Sequence, residues 1–308
     1  MKTVLTSAAP SANISPRPRR RIVLTPYLYL LPTLLTVLAW VYVPVARTVQ
    51  LSFVEWNLLP TSPQVWVGWQ NYARLLELPE LGGALWNTVL YVVGLWPIAV
   101  ALPLVIALLT DRVRGRARGV YRGLIFLPMV LAPVVVAAVW RWLLSPTGVV
   151  NAALALPEPL RFLSDPRLAL WTIVFITGWK LIGFSTLIFS SAIAGLDRQT
   201  LEAARLDGAS ETQVVRHIVL PLVSPTTLFL TTLTVLLGAQ WSFVYINVLT
   251  QGGPLGATTN IYHLLYEYGF GNFAIGWSSA AAVLLLVGFG ALAWVCQRLS
   301  QRYAFYDS

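Results

Sequence analysis

The sequence predicts an all-α, polytopic membrane protein with six transmembrane helices, and three observations carry that prediction. Of 308 residues, 57% are hydrophobic and only 11% charged, against about 25% charged in a soluble domain. Six stretches reach the roughly 20 mostly apolar residues that a helix needs to cross a bilayer. The Lys and Arg residues gather on alternate connectors between those stretches. A mean hydropathy of +0.70 is also more than a soluble fold of this length could hide.

In chain order, residues 1–21 read as a basic N-terminal tail and 22–308 as the membrane domain. The first span, 25–46, is longer than a signal-peptide core and has no small-residue cleavage site after it, so it reads as retained. The next three spans cover 84–109, 120–144 and 168–191, and the last two cover 225–249 and 274–297. Three connectors, 52–83, 145–167 and 250–273, contain Pro and Gly, the first of them Trp as well, and read as small caps. The longest connector on the other side is 192–224.

Six spans place both termini on one side. If that side is cytoplasmic, the inner segments hold fifteen bases, from Lys2 and Arg17 to Arg298 and Arg302, including five between 112 and 122. The outer segments hold five: Arg47, Arg74, Arg141, Arg161 and Arg167. That bias orients the chain with both termini cytoplasmic. It also assigns the net charge of +9 to anionic lipid headgroups and not to nucleic acid.

Several function classes drop out. One cysteine, Cys296, allows no internal disulfide. His217 and His263 form no ligand pair, so no metal site is expected. The only lysines are Lys2 and Lys180, and neither follows a glycine in a phosphate-binding loop. Nucleophile and metalloprotease motifs are missing, so no catalytic residue is assigned. An ion-coupled secondary transporter of a small polar solute is the alternative function. Such carriers place carboxylates in their spans, and the six spans contain none.

One segment breaks the apolar pattern: "LEAARLDGASETQVVRHIVLPLVSP", residues 201–225. Asp197 can cap a first helix with Glu202, Ala203 and Ala204 in its middle. Gly208, after Asp207, fits the left-handed position that ends a helix. Ser210 with Gln213 reads as a capping box opening a second helix. Val214 and Ile218 would share its apolar face, and Pro221 would stop it. The segment reads as a helix–turn–helix knob.

The pattern Glu202-Ala203-Ala204, Gly208, Ile218, Leu220 and Pro221 resembles the coupling-loop signature of binding-protein-dependent ABC importer permeases. "LTQGGPLGATT" (249–259), "VGWQNYARLL" (67–76), "WNTVLY" (86–91) and "FLPMVLAPVV" (126–135) are similar to the carbohydrate-uptake class of those permeases. The likeness is to compact six-span members, without the extra N-terminal spans and large outer insertion of the maltose-type subunit. The resemblance implies a type I ABC importer permease fold and a prokaryotic cell membrane. It implies four kinds of partner contact: a second homologous permease, two ATPase subunits that bind ATP and Mg, an extracytoplasmic solute-binding protein, and membrane lipid. It implies a sugar or a polyol phosphate, such as glycerol-3-phosphate or a glycerophosphodiester, as solute, and ATPase contact through Glu202, Ala203, Ala204, Asp207, Gly208, Ile218, Leu220 and Pro221.

Candidate substrate-path residues are fewer. Lys180 is the one charge in the middle of a span, Arg122 and Arg141 lying near the ends of 120–144, and its burial costs a few kcal/mol. It either faces the path or bonds backbone carbonyls at a helix break near Gly178 and Gly183, and the second reading is the stronger. In the fifth span, Gln240 and Asn247 are seven apart on one helix face, with Trp241 and Tyr245 beside it. Amides and flat aromatics suit a sugar. The same residues would serve as helix packing, or, for Tyr245, as an interfacial aromatic. Gly276 and Ala280 read as a small-x-x-x-small packing pair.

Overall fold

A computed structural model describes residues 25–59, 61–111 and 116–303. The tail at 1–21 and the bases at 112 and 114 lie outside the described residues. The chain divides into two compact units, Met1–Arg47 and Thr48–Ser308. The helices are α1 (Thr25–Val37), α2 (Val43–Leu51), α3 (Gln70–Leu76), α4 (Pro79–Trp96), α5 (Leu102–Asp111), α6 (Arg116–Val130), α7 (Pro133–Leu143) and α8 (Val149–Leu154). They continue as α9 (Ala169–Ala194), α10 (Arg198–Leu206), α11 (Glu211–Val214), α12 (Leu220–Leu222), α13 (Ser224–Tyr245), α14 (Ile261–Tyr266) and α15 (Ile275–Tyr303). A two-stranded antiparallel pair, β1 (Val54–Glu55) and β2 (Val65–Trp66), lies between α2 and α3.

Among the described residues, five helical stretches are long and apolar enough to cross a membrane, and a bent pair brings the number to six if it is counted as one span. The expected third span, 120–144, is that pair: it turns by 96° between Val130 and Pro133. The cause is local. Pro133 pushes the preceding residue out of the helical region, and Ala132 is extended, at φ −61 and ψ 132.

Three other prolines do not end helices, because wide turns precede them. Val43 N–H donates to Leu38 O, Leu102 N–H to Pro97 O and Leu220 N–H to Val215 O. Each donor stands immediately before a proline: Pro44, Pro103 or Pro221. These i→i−5 bonds move the carbonyls that a proline ring would otherwise strike, a local adjustment common in membrane helices.

In the second unit two apolar clusters stack along α9. One holds Tyr91, Leu95, Val136, Ile173, Ile176, Tyr245 and Ile246. The other, toward the 192–224 connector, holds Val100, Ala107, Phe189, Ile193, Val214, Val219, Val223 and Leu230. The cap at the opposite end is seated on Asn71, whose Nδ2 donates to Ser52 O (2.9 Å) and Val54 O (3.0 Å). The Gly276–Ala280 pair packs against this cap: a Cβ on Gly276 would collide with Val54 O, and fully buried Ala280 clusters with Leu75.

Candidate functional site

The knob forms where local signals place it. The Asp197 carboxylate accepts from Gln199 N–H (3.0 Å) and Thr200 Oγ1 (2.9 Å), capping α10. Those hydrogen bonds, the one from Gln199 first, hold its pKa below the ordinary carboxylate value. Gly208 sits at φ +86. Ser210 and Gln213 form the capping box, with Ser210 N–H donating to Gln213 Oε1 at 2.8 Å. Arg205 Nε donates to Glu211 Oε1 at 2.7 Å, an ion pair across the turn. Sequence reasoning missed that pair, since residues six apart face each other only once the chain has turned.

Pro221 does not stop the second helix, contrary to expectation. The helix runs from Glu211 through a wide turn at Val215–Val219 and on to Leu222, and yields at Val223. The wide turn also changes the buried face. Val214 pairs with Val219, five residues on, in the inner cluster, while Ile218 is only half-buried.

The result is an anchored knob with an open rim. Ala204 packs toward the inner cluster, whereas Glu202, Ala203, Asp207 and Gly208 are exposed. A recess of about 370 Å³ is lined by Asp207, Gly208, Ala209, Gln213, Val214, His217 and Ile218. Leu220 is exposed and Pro221 half-buried beyond it. Leu206, absent from the sequence-derived set, is 88% exposed at the tip.

The substrate-path candidates are brought together less completely. Lys180 Nζ donates to Leu131 O at 2.7 Å. The helix break is therefore the bend between α6 and α7, and α9 runs unbroken through Gly178 and Gly183. Leu131 O is a carbonyl freed by that bend, and in a membrane such a group needs an internal partner. Gln240 is exposed and Trp241 half-buried on α13. Tyr245 is no interfacial aromatic: it is 2% exposed in the core cluster with Tyr91 and Ile246. Asn247 is half-buried in the wide turn at Ile246–Thr250, where α-helical register with Gln240 no longer holds.

At the far end of α13, the 250–260 loop is bound to distant spans. Asn87 Nδ2 donates to Gly256 O (3.1 Å) and Thr259 O (2.9 Å), and Tyr91 Oη to Thr258 O (3.1 Å). Asn260 Nδ2 donates to Ala239 O (2.7 Å), and its Oδ1 accepts from His263 N–H (2.9 Å). The Arg141 guanidinium donates to Val248 O. Asn87 lies inside the "WNTVLY" motif, but nothing in sequence spacing names its partner 169 residues away.

Residues 99–304 match the family described as binding-protein-dependent transport system inner membrane component. The chain is 31% identical over 279 residues to the trehalose/maltose transport system permease protein MalF of Thermococcus litoralis, covering 85% of this chain and 88% of the relative. It is 28% identical over 275 residues to the sn-glycerol-3-phosphate transport system permease protein UgpA of Pectobacterium atrosepticum, covering 89% and 92%. A crystal structure of a bacterial ABC transporter involved in import of the acidic polysaccharide alginate contains a chain of the same fold. The TM-score is 0.81 at 24% identity, over 91% of this chain and 96% of that one. On its sequence, its membrane-crossing helices and its fold, this chain belongs to the inner membrane permeases of binding-protein-dependent ABC transport systems.

Proposed function

We propose that this chain forms half of the translocation path of an ATP-driven importer for a sugar or a polyol phosphate. A second, homologous permease supplies the other half. Of two ATPase subunits, which bind ATP and Mg, one docks at this chain's 192–224 connector, and a solute-binding protein delivers the solute at the opposite, extracytoplasmic end. The orientation rests on the fifteen-to-five distribution of bases, with both termini cytoplasmic. The solute class rests on relatives named for trehalose/maltose and sn-glycerol-3-phosphate transport.

The observation that carries the reading is the anchored knob. Its buried face, Val214, Val219 and Val223, joins it to α5 and α9, so a force on its rim reaches the spans. Its exposed rim offers Glu202, a carboxylate with no ion pair among the described residues, on α10, the helix that leads to the recess at Gly208. An arginine of an ATPase cleft would pair with it. Truncating one member of such a desolvated pair costs about 2–5 kcal/mol. Lys180 acts here as a strut that holds the bent third span, and uptake by a Lys180→Met variant in normal complex yield measures any further role in the path.

The test is co-purification of the ATPase subunits with Gly208→Val and Glu202→Lys variants, alongside uptake and ATPase stimulation. Loss of the partner or of stimulated hydrolysis is expected. Wild-type assembly, stimulation and uptake in both variants would remove the coupling assignment.

A further inference from the structure

We propose that the recess between the 251–256 turn and the carboxylates of Glu80 and Glu267 receives a lysine or arginine side chain of the extracytoplasmic solute-binding protein, with Leu255 as the adjoining apolar contact. The proposal rests on the importer reading and on its orientation, which puts this recess on the outer face.

The recess measures about 370 Å³ and is lined by Glu80, Gln251, Gly252, Gly256, Thr259 and Glu267, among others. That volume suits a long side chain and is far too large for a bare ion. No group of three or more His, Cys, Asp and Glu able to hold a metal occurs among the described residues. Among the described residues neither carboxylate forms an ion pair with a Lys or Arg, and the basic group beside Glu267 is His263 at 3.9 Å. Arg74 is engaged by Glu55 at 3.2 Å, and Arg141 by Val248 O. Both Glu80 and Glu267 act on Tyr268, whose hydroxyl pKa is raised by burial first and then by their charge.

His263 is the independent sign of a ligand. Its side chain is 4% exposed, and Nδ1 has no hydrogen-bond partner. Nδ1 lies 3.9 Å from Glu267 Oε2, and a Cβ on Gly252 would sit 3.2 Å from it. It therefore lies directly behind two lining residues, Gly252 and Glu267. A buried polar atom without a partner is costly, and an incoming cation that draws Glu267 inward would give it one.

Leu255 supplies the second half of the surface. It is 98% exposed at φ +51, a conformation disfavoured for a residue with a branched side chain. The loop does not relax, because Asn87 holds Gly256 O and Thr258 Oγ1 donates to Gly253 O at 2.8 Å. A rigid apolar knob beside a pair of acids fits a partner surface with an apolar socket flanked by a base.

The experiment uses the full importer complex in nanodiscs and the solute-binding protein encoded with it. The readout is ATPase stimulation against binding-protein concentration, at low and high salt. For the double variant Glu80→Gln/Glu267→Gln, and separately for Leu255→Ser, the half-maximal concentration should rise about tenfold, as for loss of an interfacial contact. The double variant should also lose salt dependence. Basal ATPase activity and complex yield should not change. Unchanged half-maximal concentration and salt dependence would overturn the proposal while leaving the importer reading intact. A change only in the solute concentration needed at saturating binding protein would overturn it in favour of a solute site. Failure of the unmodified chain to assemble with an ATPase would overturn the importer reading, and this one with it.

Discussion

The connectors on either side of the fifth span share a plan and differ in how they are held. Each turns on a glycine at left-handed φ, Gly208 at +86 and Gly252 at +82. Each presents a bare leucine, Leu206 at 88% and Leu255 at 98% exposure. Around Gly208 the space is open, and a Cβ there would meet nothing within 4 Å. At Gly252 a Cβ would lie 2.5 Å from Thr259 Oγ1 and 3.0 Å from His263 Cε1. The knob carries hydrogen bonds within itself, as between Arg205 and Glu211, and apolar packing links it to the spans. The outer loop is tied by directional bonds to residues 167 to 173 positions away. Packing lets a body pivot, whereas hydrogen bonds between its backbone and another helix's side chains fix it. On the proposed function, the knob serves as a lever and the 250–260 loop, on the outer side, as a fixed frame.

The strongest way to break this contrast is at Asn260. It is fully buried, and its amide serves Ala239 O and His263 N–H together. Asn260→Leu keeps the volume and removes both bonds. We expect a loss of about 3 kcal/mol, the sum of two buried polar groups left without partners. The measurement is thermal unfolding in detergent, with protease protection of the 250–274 segment as the local readout. Unfolding at the wild-type temperature would show that the frame is held by packing.

The two glycines provide a matched pair. Gly252→Ala adds left-handed strain and a collision with Thr259 and His263, and should cost about 2 kcal/mol. Gly208→Ala adds the strain alone and should cost about 1 kcal/mol. Both are read from thermal unfolding of the same preparation. Equal losses would mean that the crowding at Gly252 relaxes freely and that the outer loop is no stiffer than the knob.

This contrast also sets what was legible in the sequence. The caps at Asp197 and Ser210 and the turn at Gly208 follow from interactions within a few residues, and they form as read. The six apolar stretches follow from composition, and they too are present, one of them as the bent pair. The bend itself required weighing Pro133 against the residue before it. Val219 replaced Ile218 on the buried face because a wide turn before Pro221 changes the period, which an α-helical pattern cannot register. Lys180 and Leu131, Asn87 and Gly256, Asn260 and Ala239 are tertiary pairings between different spans, and no spacing rule links them. Tyr245 belongs to the core because α4 and α7 close over it, a fact of packing with no local sign.

The mildest probe is pH, and it should separate the two regions without a mutation. Burial lowers the pKa of His263 below its ordinary value of 6.5, and Glu267 opposes that shift only in part. A histidine with a lowered folded pKa binds fewer protons than its unfolded counterpart, so stability rises with pH across that window. As pH falls through 6.5, the outer loop therefore begins to lose stability, and the loss is complete below the folded pKa. Asp197 behaves differently. Its folded pKa lies below the ordinary 3.8, so the cap's contribution is fully present above that value and is lost only as pH falls through the lower one. Between about pH 7 and pH 5 the outer loop should loosen while the knob does not. Amide hydrogen exchange of 250–274 and 197–222, corrected for the chemical rate at each pH, measures both at once. Faster exchange in the outer loop alone is expected, and a His263→Gln variant should lose that pH dependence. Loosening of the knob over the same range would break the contrast, because neither its apolar anchor around Val214 and Val219 nor the Asp197 cap changes protonation there.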